Sequence, residues 1–281
     1  MFAQIFIVFA LVNTIRSIPK KTCNRLLINN TWYDREIILS NFGRPYNLNI
    51  HKSTNILFFS YSLQDNLADV DFQMAFINLN TKEHDVVAGI RGGCTVAIDQ
   101  SNDVIYFGGS DGIYKYNMLT RLADDYKEKG KNIWSLYFRE NLFYISYPDQ
   151  KLYIDIDGKF VKVREFENFE VDSFHVMPNH DIYFANKSGF YLFDSSKLLV
   201  EPINELIGVR QIVEDNNGLL YVCTNVGIIM HSGDEFVNVI DIKGIYGLAF
   251  DKENSFILSD EKNILRLTPS SKGCAYDDFY W

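Results

Sequence analysis

What the sequence has little of narrows the classes of protein to consider. The 281 residues include only 6 prolines, 4 cysteines and 5 histidines. Scarce proline excludes collagen-like and proline-rich chains, and an apolar content of 47% excludes a disordered chain. Acidic residues outnumber basic ones by 36 to 27, giving a net charge of −9. That balance argues against a general nucleic-acid binder, which neutralises phosphates with lysine and arginine.

Long hydrophobic runs are also missing. Residues 2–12 are uncharged and apolar, but a membrane-spanning helix needs roughly 20 such residues. The length and position of this segment are typical of a secretory signal peptide, although no Lys or Arg precedes it. An N-terminal core strand is the alternative. We expect residues 1–17 to be a signal peptide, residues 18–281 to form one domain, and the protein to be secreted, monomeric and without a membrane partner.

In a secreted protein the four cysteines are candidates for disulfide bonds, because disulfides form in oxidising compartments. Cys23 follows the predicted signal peptide, and Cys274 lies near the C terminus. We expect a disulfide between these two, because the predicted closure of the fold would bring them together. Cys223 sits in an apolar strand pattern and is expected to be a buried thiol, whereas the state of Cys94 stays open. Their spacing matches no zinc motif.

Two triplets match the acceptor pattern for N-linked glycosylation, and they begin at Asn29 and Asn186. Such triplets also arise by chance.

A repeat runs through most of the chain. Its units begin near residues 46, 94, 134, 172, 210 and 246. Each opens with an alternating strand, continues with an apolar strand such as ILFFSY or VIYFGG, and ends with a third strand, with Asn, Asp, Ser and Gly in the turns. Units of roughly 40 residues with three or four strands each predict an all-β, six-bladed β-propeller. A large β-sandwich is the alternative, but sandwiches lack this period.

The last unit has room for only three strands before the C terminus. An extra strand-like region lies ahead of the first unit, at residues 24–42. Because an open ring would expose strand edges, we expect this region to complete the last blade. That arrangement would bring Cys23 and Cys274 together, and a bridge closing a loop of about 250 residues would add several kcal/mol of stability.

A ligand site is expected where the inner strands begin, at one mouth of the propeller channel. The residues at or near these starts are Arg44, Tyr46, Arg91, Trp134, Arg210 and Tyr246, with Tyr137 and His175 deeper on the same face. Aromatic rings and guanidinium groups together suit a flat aromatic ligand that carries acid groups. The alternative is that the aromatic residues pack between blades.

Signals for catalysis are weaker. Residues 108–112, GGSDG, match the spacing Gly-x-Ser-x-Gly, but they read as a hairpin turn between two strands and not as a nucleophile elbow, and the sequence contains no phosphate-binding loop. Only Asp172, Asn47 and Asn49 stand where a channel metal would bind, and Asp99 and Asp251 are expected to cap turns. The stretch 119–131 is helix-like but polar, and its acidic and lysine-rich parts are expected to form a solvated loop. We therefore predict no metal site and no enzyme activity.

The segment AIDQSNDVIYFGGSDGIYKYN, residues 97–117, resembles the repeats of six-bladed propellers in the YWTD and gluconolactonase-like superfamily. Over nearly the whole chain, the apolar N terminus, the early cysteine, the IYFGGSDGIYKYN segment and the cysteine-containing tail are similar to the ommochrome-binding proteins of moths. That resemblance implies a secreted haemolymph protein that carries or stores an ommochrome, a planar acidic phenoxazinone pigment, with no other cofactor.

The resemblance supplies no ligand residues, so the site remains an inference from the sequence. An acidic protein would repel an acidic pigment unless arginines gathered locally, and Arg44, Arg91 and Arg210 are the candidates. A metal-dependent lactonase or esterase and a protein–protein interaction module are the alternative functions.

Overall fold

Strands dominate the molecule. The computed structural model describes residues 25–62, 72–204, 208–233 and 235–273. Within these ranges the strands form six antiparallel sheets, and the single helical element is a 3-10 turn at Arg164–Phe166. The prediction of an all-β, six-bladed propeller is confirmed. The predicted signal peptide and both Cys23 and Cys274 lie outside the described residues.

The first two strands form a hairpin, β1 (Arg25–Ile28) and β2 (Thr31–Ser40). Blade 1 contains β3 (Arg44–His51), β4 (Ile56–Ser62), β5 (Phe72–Asn78) and β6 (His84–Val86). Blade 2 contains β7 (Thr95–Asp99), β8 (Val104–Gly109), β9 (Gly112–Asn117) and β10 (Leu122–Lys127). Blade 3 contains β11 (Ile133–Arg139), β12 (Asn141–Ser146), β13 (Leu152–Ile156) and β14 (Lys159–Lys162).

The remaining blades follow the same plan. Blade 4 contains β15 (Ser173–Val176), β16 (Ile182–Asn186), β17 (Gly189–Asp194) and β18 (Leu199–Asn204). Blade 5 contains β19 (Val209–Glu214), β20 (Leu220–Thr224), β21 (Ile228–Ser232) and β22 (Glu235–Ile240). Blade 6 contains β23 (Gly247–Phe250), β24 (Phe256–Ser259) and β25 (Asn263–Ser270). The first strand of each blade lines the channel.

Blade 6 is completed by the N-terminal hairpin. Strand β2 pairs antiparallel with β25, from Trp32 opposite Ser270 to Ser40 opposite Asn263, and β1 adds a fifth strand outside it. This confirms that an N-terminal strand closes the ring. Because the two ends of the chain share one sheet, the last blade cannot separate from the ring without breaking the β2–β25 ladder.

Packing between blades explains the apolar second strands. In the described part of the chain, six clusters of buried side chains each join two neighbouring blades. Phe58 of blade 1 and Phe107 of blade 2, for example, meet edge to face with ring centroids 5.5 Å apart. Both faces of a middle strand are covered by adjacent blades, so its sequence is apolar throughout and does not alternate.

The polar stretch at residues 119–131 differs from the expectation. It contains β10 (Leu122–Lys127), the outer strand of blade 2, and is neither a helix nor simply a solvated loop. An outer strand is covered on few sides, and charged side chains there discourage pairing with other chains. Its sequence therefore lacks the apolar signal that identifies the inner strands.

Acidic residues at the ends of inner strands cap turns, as predicted. Asp99 accepts hydrogen bonds from the backbone N–H groups of Ser101 and Asn102, both at 3.1 Å, and Asp251 does the same for Ser255 at 2.8 Å. The predicted turn at residues 108–112 joins β8 to β9. Across the described ranges, no helix has the length and apolar character needed to span a bilayer.

Candidate ligand-binding channel

The six inner strands enclose a cavity of about 1030 Å³. Most of the predicted site residues line it: Arg44, Tyr46, Trp134, Tyr137, His175, Arg210 and Tyr246. Arg91 does not; it lines a separate groove described below. We call the end where the inner strands begin the mouth, and the end where they finish the far end.

At the mouth, two guanidinium groups face one tyrosine ring. The Arg210 Cζ atom lies 3.8 Å from the centroid of the Tyr246 ring, and the Arg44 Cζ atom lies 5.0 Å from it. Tyr46 meets Tyr246 edge to face at 5.4 Å. Arg44 also forms an ion pair with Glu261 at 2.8 Å. The ring quadrupole attracts both cations, so Tyr246 holds positive charge at the rim of the cavity.

Arg210 is the cation closer to the Tyr246 ring. Its Nη1 atom is buried and has no hydrogen-bond partner among the described residues. A buried charged donor without an acceptor costs free energy that an added acceptor would recover. An anionic group entering the mouth would supply that acceptor, and the guanidinium fork suits a carboxylate.

Irregularities in the inner strands aim the side chains at the mouth. The pairing of β19 with β20 shifts between Val209 and Gln211, which leaves Arg210 as the extra residue. A similar shift between Ile133 and Ser135 leaves Trp134 as the extra residue of β11. Such bulges are frequent next to binding sites because they redirect a side chain out of the regular alternation. The sequence carries no clear signal for them.

Trp134 stands three blades away from Tyr246, on the opposite side of the mouth. Its ring stacks on Tyr147, with centroids 5.7 Å apart and an interplanar angle of 29°. Its indole N–H donates to the Asp172 carbonyl oxygen at 3.1 Å, which fixes the ring orientation. Burial raises the pKa of the Asp172 carboxyl, which accepts a hydrogen bond from the side-chain amide of Gln150.

Tyr137 and His175 lie toward the far end, inside a connected polar network. Arg139 donates to Glu214 at 2.6 Å and to the Tyr137 hydroxyl at 3.2 Å. His175 Nε2 lies 3.3 Å from both the Tyr137 hydroxyl and Glu214 Oε2. Glu214 therefore contacts both a cation and an imidazole. The sequence placed Tyr137 and His175 deeper on the channel face, as candidate ligand contacts, and did not suggest these partners.

The pKa directions in this network follow from burial and pairing. Burial lowers the pKa of His175, so the imidazole is held neutral. The hydrogen bond from His175 lowers the pKa of the Glu214 carboxyl, and Arg139 adds to the effect. Burial raises the pKa of Tyr137 to about 12. Arg139 and Glu214 lie near the finish of their inner strands, away from the starts where a site was expected, and were not predicted. Alternation from Tyr137 leads to Arg139.

One buried side chain joins the strands that carry the mouth cluster. The Gln211 amide nitrogen donates to the Leu48 carbonyl oxygen at 2.8 Å, and its carbonyl oxygen accepts from the Leu248 N–H at 3.0 Å. Leu48 and Leu248 each lie two residues from a mouth tyrosine, and Gln211 follows Arg210. This amide therefore ties blades 5, 6 and 1 together immediately below the cation–π cluster.

The two free cysteines in the described ranges are Cys94 and Cys223, and Cys223 is buried as predicted. The Cys94 thiol donates to the Ile133 carbonyl oxygen at 2.9 Å, and burial raises its pKa to about 12. Among the described residues, no group of three or more His, Cys, Asp and Glu side chains is arranged to hold a metal ion.

Solved structures similar to this chain share its fold. A gluconolactonase from Xanthomonas campestris superposes with a TM-score of 0.66 over 85% of this chain and 90% of its own, at 9% identity. A luciferin-regenerating enzyme gives a TM-score of 0.63 over 86% of this chain and 98% of its own, at 13% identity. At these identities the likeness establishes the propeller fold alone. No family model matches the sequence.

A sequence relative carries more information. The ommochrome-binding protein of Manduca sexta is 31% identical over 254 residues, which cover 88% of this chain and 92% of the relative. The match therefore covers most of both chains. The chain therefore belongs to the family of ommochrome-binding proteins.

Proposed function

We propose that the protein is a secreted, non-catalytic carrier or store for an ommochrome pigment in the haemolymph, and that the pigment binds in the channel mouth. The observation that carries the proposal is Arg210, a guanidinium stacked on Tyr246 with a buried Nη1 atom that has no acceptor in the described part of the chain. The resemblance to the moth proteins, with a relative named for ommochrome binding, supplies the class of ligand.

The chemistry of the mouth matches a planar acid. A carboxylate at Arg210 would satisfy the unpaired donor, while aromatic rings would rest against Tyr46 and Tyr246 on one side or Trp134 on the other. The cavity of about 1030 Å³ is at the upper end of the range for small-molecule sites, about 300–1,000 Å³. Local arginines offset a net charge of −9 that would otherwise repel the pigment.

Titration of the purified protein with an ommochrome tests the proposal. We expect the visible absorption band to shift, the pigment to co-elute with the protein in gel filtration, and the signal to saturate. An uncharged planar dye of similar size is the matched control and should bind more weakly. An unshifted spectrum together with separate elution at micromolar protein would overturn the assignment.

A lactonase is the second candidate, because a gluconolactonase shares the fold. Hydrolysis of simple lactones is measured with added Ca²⁺, with added Zn²⁺ and with a chelator. We expect no turnover above the buffer rate in any condition. Turnover that a chelator abolishes would contradict the non-catalytic part of the proposal.

Secretion also leads us to propose the disulfide between Cys23 and Cys274. Arg25, two residues after Cys23, donates to the carbonyl oxygen of Gly273, the neighbour of Cys274, at 3.0 Å. Mass spectrometry of a non-reducing digest should contain the peptide that links the two cysteines. Its absence from an oxidised, natively purified sample would refute the pairing.

The two glycosylation acceptors differ in their surroundings. Asn29 is exposed in the turn between β1 and β2, whereas the side-chain amide of Asn186 is half-buried and donates to the Glu170 carbonyl oxygen at 3.2 Å. We propose that Asn29 carries the glycan and that Asn186, whose acceptor nitrogen is engaged, is modified less.

A further inference from the structure

A second cavity opens beside the channel mouth. This side groove has a volume of about 910 Å³ and is lined mainly by the outer part of blade 1, the connection from blade 1 to blade 2, and two aromatic residues of blade 3. Its apolar wall includes Met74, Val87 and Ile90. Trp134 lines both the groove and the channel, so the two cavities share a boundary while most of their lining differs.

Arg91 is presented to this groove by a fixed backbone. Its carbonyl oxygen accepts hydrogen bonds from the Ser110 N–H at 2.8 Å and from the Ser110 hydroxyl at 3.3 Å. The connection packs so closely on the β8–β9 hairpin that a Cβ atom at Gly109 would lie 2.2 Å from the Arg91 carbonyl oxygen. The backbone is therefore anchored, and only the side chain extends into solvent.

The guanidinium of Arg91 is available to a ligand. Its side chain is 81% exposed, and its contact with Asp111, at 3.8 Å, is long for an ion pair. An ion pair with this exposure contributes little energy, so an incoming anion would not have to displace a strong partner.

The groove also contains an exposed aromatic surface. Tyr147 is 50% exposed and Trp134 is 39% exposed, and their rings are stacked. The hydrogen bond from Trp134 to Asp172 holds the indole in place. Large aromatic residues left exposed together, beside a groove with an apolar wall, are typical of binding sites, because burying them on a ligand removes apolar area from water.

We propose that the side groove is a second binding site, selective for a small aromatic carboxylate whose ring rests against Tyr147 and Trp134 and whose carboxylate pairs with Arg91. The apolar wall and Arg91, the one Lys or Arg among the described residues that line the groove, together define that class of ligand. The site rests on its own geometry and does not require a pigment in the channel.

Isothermal titration with 2-naphthoate tests the site on the full-length protein. Because the channel mouth has its own arginine, the titration is run on the wild type, on Arg91→Met and on Arg210→Met. We expect binding of 2-naphthoate that persists in Arg210→Met. In Arg91→Met its affinity should fall about tenfold or more, the size of one lost charge-assisted hydrogen bond. Tyr147→Leu should weaken the same binding.

Matched controls separate this site from general charge effects. Arg164 is exposed on the 3-10 turn, so Arg164→Met removes the same charge elsewhere and should leave binding unchanged. 2-Naphthamide, which lacks the charge, should bind the wild type about as weakly as 2-naphthoate binds Arg91→Met. Binding that is lost in Arg210→Met but kept in Arg91→Met, or no binding at all, would overturn the second site. Failure of ommochrome binding in the channel would leave this result unaffected.

Discussion

The two ends of the channel contain the same kinds of residues but differ in how these are paired. At the far end, Arg139 reaches Glu214 at 2.6 Å and the Tyr137 hydroxyl at 3.2 Å. At the mouth, Arg210 stacks on Tyr246 at 3.8 Å and keeps a buried nitrogen to which no described residue supplies an acceptor. Among the described residues, Arg139 has no buried nitrogen that lacks a partner, whereas Arg210 has one.

This difference separates a structural cluster from a binding cluster. A half-buried cation whose hydrogen bonds are satisfied contributes to holding neighbouring blades together, and a ligand can add little to it. A cation left with an unsatisfied donor gains from any anion that reaches it. The types of residue alone do not distinguish the two clusters, because arginine and tyrosine are present in both.

The largest effect that we predict is a loss of protein stability caused by a substitution at the far end. Glu214→Gln keeps the size of the side chain but removes its charge, which leaves the half-buried Arg139 without a counter-ion. We expect the free energy of unfolding to fall by about 2–4 kcal/mol, slightly less than for a fully buried pair because both side chains are partly exposed. Urea denaturation followed by tryptophan fluorescence measures the change.

The mouth offers a matched control for that substitution. Glu261 pairs with Arg44 and is 60% exposed, so Glu261→Gln should cost at most about 1 kcal/mol. Equal losses in the two variants would mean that the pairing at the two ends does not differ as described.

The next effect concerns affinity. Arg210→Met removes the guanidinium with little change in side-chain length, and we expect ommochrome binding to weaken about 10–100-fold, the worth of a charge-assisted hydrogen bond of about 1.5–3 kcal/mol. Stability should change by only about 1 kcal/mol, from the lost cation–π contact. Dye titration and urea denaturation of the same preparation measure both quantities. A large loss of stability with unchanged pigment affinity would mean that Arg210 holds the fold together, as Arg139 does, and does not bind the ligand.

The fold could be predicted from the sequence, whereas the site could be predicted only in part. The repeat of turn residues and apolar strands predicted six blades, and the missing strand of the last unit predicted the closure by β2 (Thr31–Ser40). These features depend on local patterns that every blade repeats. The outer strand β10 (Leu122–Lys127) was missed because its exposed, charged side chains hide the strand pattern.

Alignment of the inner-strand starts placed Arg210 and Tyr246 correctly beside the channel, but it could not foresee their contact. The bulge that leaves Arg210 as an extra residue depends on the pairing of two strands, which no single segment encodes. Arg91 occupies the position expected along the chain, yet the glycine-rich connection directs it into the side groove. Pairing partners such as Glu214 come from other blades and are visible only in three dimensions.

The smallest effect that we predict is a pH dependence of the protein's stability, caused by the residues at the far end. Burial lowers the folded-state pKa of His175 below its ordinary value of about 6.5, so the unfolded chain takes up a proton first as the pH falls. Stability should therefore decrease below about pH 6.5, with a further decrease below the ordinary pKa of Glu214, about 4.3, because pairing also lowers that pKa. His175→Gln should remove the first decrease and keep part of the second, because Arg139 still pairs with Glu214.

Urea denaturation of the wild type and of His175→Gln at a series of pH values between about 3 and 8 measures both decreases. The raised pKa of Asp172 acts with the opposite sign, because its contribution to stability is lost as the pH rises. The arginines of the mouth keep their charge throughout, so pigment affinity should stay nearly constant while stability changes. If affinity and stability instead fell together in the wild type and were both flat in His175→Gln, the two ends of the channel would be coupled.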